Sequence, residues 1–148
     1  AAFGSVGGNF SINQNRLCNI EREIPLIHIH GTRDRLQKYN HSDGDFLSTI
    51  ESVNYWAKYN QLNIKVVENI EDFHKKDGTT VEKHTYSKNN SNTQVIHFKV
   101  VKGGHLWLGS PIADWLTLRL FFGRNNHEII SSKEIVDFFL KYKLSDFN

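Results

Sequence analysis

The sequence predicts an α/β fold, and three observations carry that expectation. Two apolar runs of strand length each end at glycine: residues 25–30 (Pro-Leu-Ile-His-Ile-His) stop at Gly31, and the run opening at Val95 stops at Gly103-Gly104. Two other stretches, one between these runs and one after them, repeat their apolar residues at helical spacing. Strands alternating with helices build a sheet that helices cover.

The elements follow in order. Residues 1–8, Ala-Ala-Phe-Gly-Ser-Val-Gly-Gly, read as a short strand of small residues with its glycine turn. A chain that opens inside a core element reads as a piece of a longer one. Residues 9–23 are polar and unpatterned, which predicts a loop anchored by Leu17 and Ile20. Residues 25–30 form the first clear strand, and residues 31–44 a polar loop carrying Asp34, Tyr39, His41 and Asp43. Ser48-Thr-Ile-Glu51 has the form of a capping box, in which serine and glutamate satisfy free backbone donors at a helix start. Leu47, Ile50, Val53, Trp56 and Ala57 continue it at helical spacing and predict a helix over residues 49–60.

Residues 64–78 combine a short β-like piece with a charged turn at Asp77-Gly78. Residues 79–87 alternate, with Val81, Lys83 and Thr85 on one face and Glu82, His84 and Tyr86 on the other. After a polar loop at 88–93 they are expected to pair with residues 94–101 as a hairpin. Residues 110–126 carry Trp115, Leu116, Leu118, Leu120, Phe121 and Phe122, which suits a short helix covering the site or an interface segment. Ser132 is then expected to cap a last helix, whose apolar face is Ile135, Val136, Phe138, Phe139 and Tyr142, ending near Lys143.

Composition narrows the function classes. A length of 148 residues fits one domain, and 39% hydrophobic with 23% charged residues excludes a wholly disordered chain. The net charge of +2, with both signs interspersed, gives no basic stripe, so no nucleic-acid partner is expected. No run approaches the roughly 20 apolar residues of a membrane span, and the first residues lack the basic start and apolar core of a signal peptide. Cys18 is the only cysteine, so neither an intrachain disulfide nor a multi-cysteine metal site can form.

The chemistry centres on two loops. Asp34 follows the first strand and His105 follows the second, in Gly-Gly-His-Leu-Trp. An acid and a histidine on successive post-strand loops are two thirds of a Ser-His-Asp triad, and in α/β-hydrolases the chain order is serine, acid, histidine. The glycine pair lets the backbone turn sharply and approach a substrate. Ser5 is no substitute for the missing nucleophile, because Phe3 stands where an elbow motif needs its first glycine. His28 and His30 share a strand face and could be half a metal site with His105 or Asp34. Histidines hydrogen-bonded beside the sheet are the simpler reading. His41, His74, His84, His97 and His127 are read as structural or solvated, and Trp56 and Phe138 as core. Trp107 could line an acyl or aromatic pocket or merely pack.

Five co-linear segments carry a resemblance: Ile24 through Asp34 (Ile-Pro-Leu-Ile-His-Ile-His-Gly-Thr-Arg-Asp), Glu51 through Asn60, Asp77-Gly-Thr-Thr-Val-Glu82, Gly103-Gly-His-Leu-Trp-Leu-Gly109, and Asn126-His-Glu-Ile-Ile-Ser-Ser132. Together they resemble the C-terminal half of the polyhydroxybutyrate depolymerase and feruloyl esterase family of secreted α/β-hydrolases. The resemblance implies that residues 1–148 are the C-terminal portion of one α/β-hydrolase domain, a mostly parallel sheet flanked by helices and incomplete here. The nucleophile and oxyanion hole would lie upstream, outside this chain. It further implies Asp34 and His105 as catalytic acid and base, and an ester or polyester substrate. No cofactor or metal is implied, and a secreted or periplasmic location goes with the family. A lone half-domain is expected to meet its missing half or to self-associate through the 1–8 edge. The chain departs from the family at Leu108, where proline is usual, in Arg35-Leu-Gln-Lys-Tyr39, in lacking a cysteine after Asn60, and in the insertion-like residues 115–122. A hydrolase half that has lost its chemistry and serves as a binding module is the competing expectation.

Overall fold

The structure is a computed structural model and describes residues 2–13, 22–42 and 44–143. Leu17, Cys18, Ile20 and Asp43 lie outside the described residues. The strands are β1 (Phe3–Val6), β2 (Leu26–Gly31), β3 (Ile64–Ile70), β4 (Thr80–Ser87) and β5 (Val95–Val101). The α-helices are α1 (Thr49–Tyr59), α2 (Leu116–Phe122) and α3 (Ser131–Phe139). A 3-10 turn, Pro111–Asp114, precedes α2. Among the described residues no helix is long and apolar enough to cross a membrane.

The described strands form one mixed sheet in the order β1-β2-β5-β4-β3. β1 and β5 flank β2 in parallel, while β4 pairs antiparallel with both β5 and β3. The expectation of a mostly parallel sheet is therefore corrected to an even mixture. A short connection such as residues 88–94 can only return a strand antiparallel, whereas a parallel neighbour needs a longer crossover. β3 is longer than its sequence suggests. It pairs from Ile64↔Ser87 to Ile70↔Val81, yet Val66 and Val67 stay half exposed, so it shows no alternation to read.

The two sheet faces differ in chemistry. Ile27 and Ile29 of β2, Ile96, Phe98 and Val100 of β5, and Val81 of β4 share one core with Phe138 of α3. Leu26, Val95 and Tyr86 meet Val53, Trp56 and Ala57 of α1 on the other side. Because strand side chains alternate, His28 and His30, and across from them His97 and His84, fall on the α1 side. The capping box that starts α1 is present: Glu51 N–H donates to Ser48 Oγ, and Ser48 N–H donates to Glu51 Oε2 at 2.8 Å.

α3 requires a correction. Ile130 is its N-cap, with no side-chain cap bond, and Ser132 lies inside the first turn. The Ser132 hydroxyl instead accepts the indole N–H of Trp107 at 2.7 Å. Val136 and Phe139 remain exposed, so the buried face is Phe138 with Ile135 and Tyr142 beside it.

Candidate active site

The site forms where the ends of β2 and β5 are stitched together. Thr32 N–H donates to Val100 O, Arg33 N–H to Gly103 O, and Lys102 N–H to Thr32 Oγ1. Gly31 lies so close to Gly103 and Gly104 that a Cβ there would collide with their backbone. Gly104 in turn faces the Phe122 and Gly123 backbone, and His105 N–H donates to Phe122 O at 2.7 Å. The glycine pair thus serves close backbone crossing.

This crossing brings Asp34 and His105 together, as the sequence expects. His105 Nδ1 is 2.7 Å from Asp34 Oδ2. The other carboxylate oxygen, Oδ1, accepts from the N–H groups of Leu36 and Gln37 at 2.9 and 2.8 Å. His30 adds a contact, its Nε2 3.1 Å from Oδ2. Burial alone would raise the Asp34 carboxyl, but hydrogen bonds from His30, His105 and Gln37 outweigh it and hold its pKa below the usual carboxylate value. Asp34 is buried, while the His105 side chain keeps 35% of its surface exposed. A carboxylate only accepts, so Nδ1 of His105 carries a proton, and in the neutral imidazole the lone pair lies on Nε2. Among the described residues no hydroxyl or thiol is hydrogen-bonded to that Nε2. Ser5 donates its hydroxyl to Gly8 O at 3.1 Å.

The remaining candidates are placed as follows. His28 Nε2 is 2.8 Å from Gly8 O, its Nδ1 is 3.2 Å from His97 Nδ1, and His97 Nε2 is 2.8 Å from Tyr39 Oη. His30 Nε2 reaches Gln37 O at 2.9 Å, and its Nδ1 lies 3.1 Å from Thr49 Oγ1. The strand histidines are therefore hydrogen-bonded beside the sheet, tying the turn after β1 and the loop after β2 to the strands. Among the described residues no group of three His, Cys, Asp or Glu side chains is arranged to hold a metal ion. Trp107 is half exposed and held by Ser132, outside the cleft that borders Asp34.

Two participants escaped the sequence reading, and His30, read there as half a metal site or as a histidine hydrogen-bonded beside the sheet, is a second partner of the acid four residues on. Gly7, with φ +66, places its Cα where a Cβ would come within 3.1 Å of the His105 ring. The cleft beside Asp34, about 840 Å³, takes cations from three separate segments, so no local charge run announced it.

No protein-family model matches the chain, and no curated protein matches it either.

Proposed function

We propose that the chain is the acid and histidine portion of a serine carboxylic-ester hydrolase, of the polyhydroxyalkanoate depolymerase or feruloyl esterase kind. The observation that carries this reading is the 2.7 Å bond from His105 Nδ1 to an otherwise saturated, buried Asp34. That arrangement fixes the imidazole tautomer and presents Nε2 as a proton acceptor toward solvent. In the proposed reaction a serine outside this chain attacks the ester carbonyl while His105 takes its proton. His105 then protonates the departing alkoxide and later deprotonates the water that releases the acid. Asp34 orients His105 and stabilises the imidazolium. A secreted or periplasmic location belongs to the same proposal.

A second reading has its own support. Trp115, Leu116, Leu120 and Phe121 are 64 to 74% exposed, an apolar surface that suits a protein contact. On that reading the chain is a binding module that joins a partner or a second copy through α2 or the β1 edge.

One experiment separates them. The purified protein is weighed intact, then assayed with p-nitrophenyl butyrate before and after a serine-directed fluorophosphonate. A mass above 17.2 kDa with activity abolished by labelling is the expected result. A mass of 17.2 kDa with neither turnover nor label favours the binding module.

A further inference from the structure

The cleft beside Asp34 is lined by Arg33, Arg35, Lys38, Lys102, Arg119 and Arg124. Among the described residues Asp34 is the only acidic side chain that lines it, and His105, His30 and two backbone N–H groups already occupy that carboxylate. Among the described residues none of the six cations stands in an ion pair. Arg124 alone is pinned, its Nη1 donating to Gly78 O at 3.0 Å. A whole-chain charge of +2 conceals this concentration. Six like charges gathered around a concave surface outnumber the carboxylates near them, Asp34 in the lining and Asp114, whose charge Arg119 feels and His127 already bonds, and the excess produces a positive potential that an oxyanion relieves. Arginine and lysine together also supply the forked and single donors that carboxylate and phosphate accept.

The cleft has one apolar wall. Leu116 and Leu120, one turn apart on α2, line it and are otherwise exposed. We propose that this cleft binds an amphiphilic oxyanion: an ester that carries a carboxylate or phosphate on the cations and lays an apolar portion against Leu116 and Leu120. Calling the ligand an ester rests on the hydrolase reading above; the anion preference rests on the cleft alone. The cleft faces the same Asp34 that holds His105, so the charged group of such an ester docks beside the reacting centre.

The test is equilibrium binding by NMR to the 148-residue, ¹⁵N-labelled chain. Hexyl phosphate and heptanoate are the anionic probes, heptanamide is the neutral one, and a twelve-residue oligothymidylate is the polyanion. The expected result is binding of at least one anionic probe about tenfold or more tighter than heptanamide. Its shifts should centre on Arg33, Lys38, Lys102 and α2, and weaken as salt rises. Which anionic probe binds tighter identifies carboxylate or phosphate as the recognised group. The exposed double variant Lys38→Glu, Lys102→Glu should lose that preference, whereas His105→Ala should keep it. Equal binding of anion and amide, no binding of either, or an unchanged preference in the double variant overturns the proposal. Oligothymidylate bound tighter than both small anions overturns it in favour of a nucleic acid. Anion binding in a protein that never turns over an ester keeps the cleft and removes the hydrolase reading, so the two failures are distinct.

Discussion

Nδ1 of His28 lies 3.2 Å from Nδ1 of His97, inside the sheet and away from water, so one ring must donate and the other accept. The neighbours set the order. Gly8 O can only accept, so His28 carries its proton on Nε2 and offers Nδ1 as an acceptor. His97 then carries its proton on Nδ1, leaving Nε2 to accept from the Tyr39 hydroxyl. Both rings are satisfied only when neutral. Burial and the neighbouring histidines push His28 down to about 3 and His97 well below its ordinary value.

Stability should therefore depend on pH through these two rings. An unfolded chain protonates them near 6.5, while the folded chain resists until far lower pH, so between those values the unfolded state binds more protons. The stabilisation is complete above about pH 6.5 and lost as pH falls below it, by up to about 1.4 kcal/mol per pH unit for each ring. Urea midpoints at pH 7.5, 6.5, 5.5 and 5.0 should fall steadily below 6.5, with a shallower slope in His97→Gln. A flat profile would show that the rings are already charged in the fold.

Asp34→Asn should reverse the His105 tautomer. Leu36 and Gln37 offer N–H groups to Oδ1, so the new amide oxygen takes that side and its NH₂ faces His105. An NH₂ donor requires Nδ1 to be unprotonated, which moves the proton to Nε2, where a catalytic base needs its lone pair. Long-range ¹H–¹⁵N NMR of the chain should report Nδ1–H in the wild type and Nε2–H in the variant. On the proposed hydrolase reading, a protein that also carries the serine should lose about 10⁴ in kcat.

Much of this site could be read from residues alone, because each of its two halves is a local motif at the end of a strand. His-Gly-Thr-Arg-Asp places an acid just past a strand, and Gly-Gly-His places a base just past another; parallel pairing of β2 with β5 then brings the two turns together. Ser48 and Glu51 announced α1 for the same reason. What stayed hidden depends on contacts between distant segments. Ser132 looks like a cap but is held by Trp107, and β3 has no buried alternation because it lies at the sheet edge. The cations at 33, 35, 38, 102, 119 and 124 look interspersed until the fold gathers them.

Trp107 tests the boundary between packing and substrate contact. Its indole N–H spans from the loop after β5 to Ser132 in α3, and its ring lies outside the cleft. Trp107→Phe keeps a ring and removes that bond, so it should cost about 0.5–1.5 kcal/mol of stability. On the proposed hydrolase reading, in a protein that also carries the serine, KM for p-nitrophenyl butyrate should stay within about twofold, since less than 0.5 kcal/mol of binding is at stake. A KM raised about tenfold with unchanged stability would return Trp107 to the substrate pocket.

Gly7 should control His105 without touching a proton. Its φ of +66 is left-handed, and an added Cβ would lie 3.1 Å from both Cε1 and Nδ1 of the His105 ring. Left-handed backbone costs a non-glycine residue roughly 1–2 kcal/mol, so Gly7→Ala should lower stability by about that amount. The methyl group must also displace either the turn or the imidazole, which lengthens the bond to Asp34. On the proposed hydrolase reading, the expected signature in a protein that also carries the serine is a drop in kcat with KM nearly unchanged, because a tilted base affects the transition state more than substrate binding. The His105 side-chain ¹⁵N signals of the chain should shift in the same variant, while those of His28 and His97 should hold. If stability falls but the His105 signals stay in place, the turn has yielded instead of the ring, and Gly7 is required by its backbone angle alone.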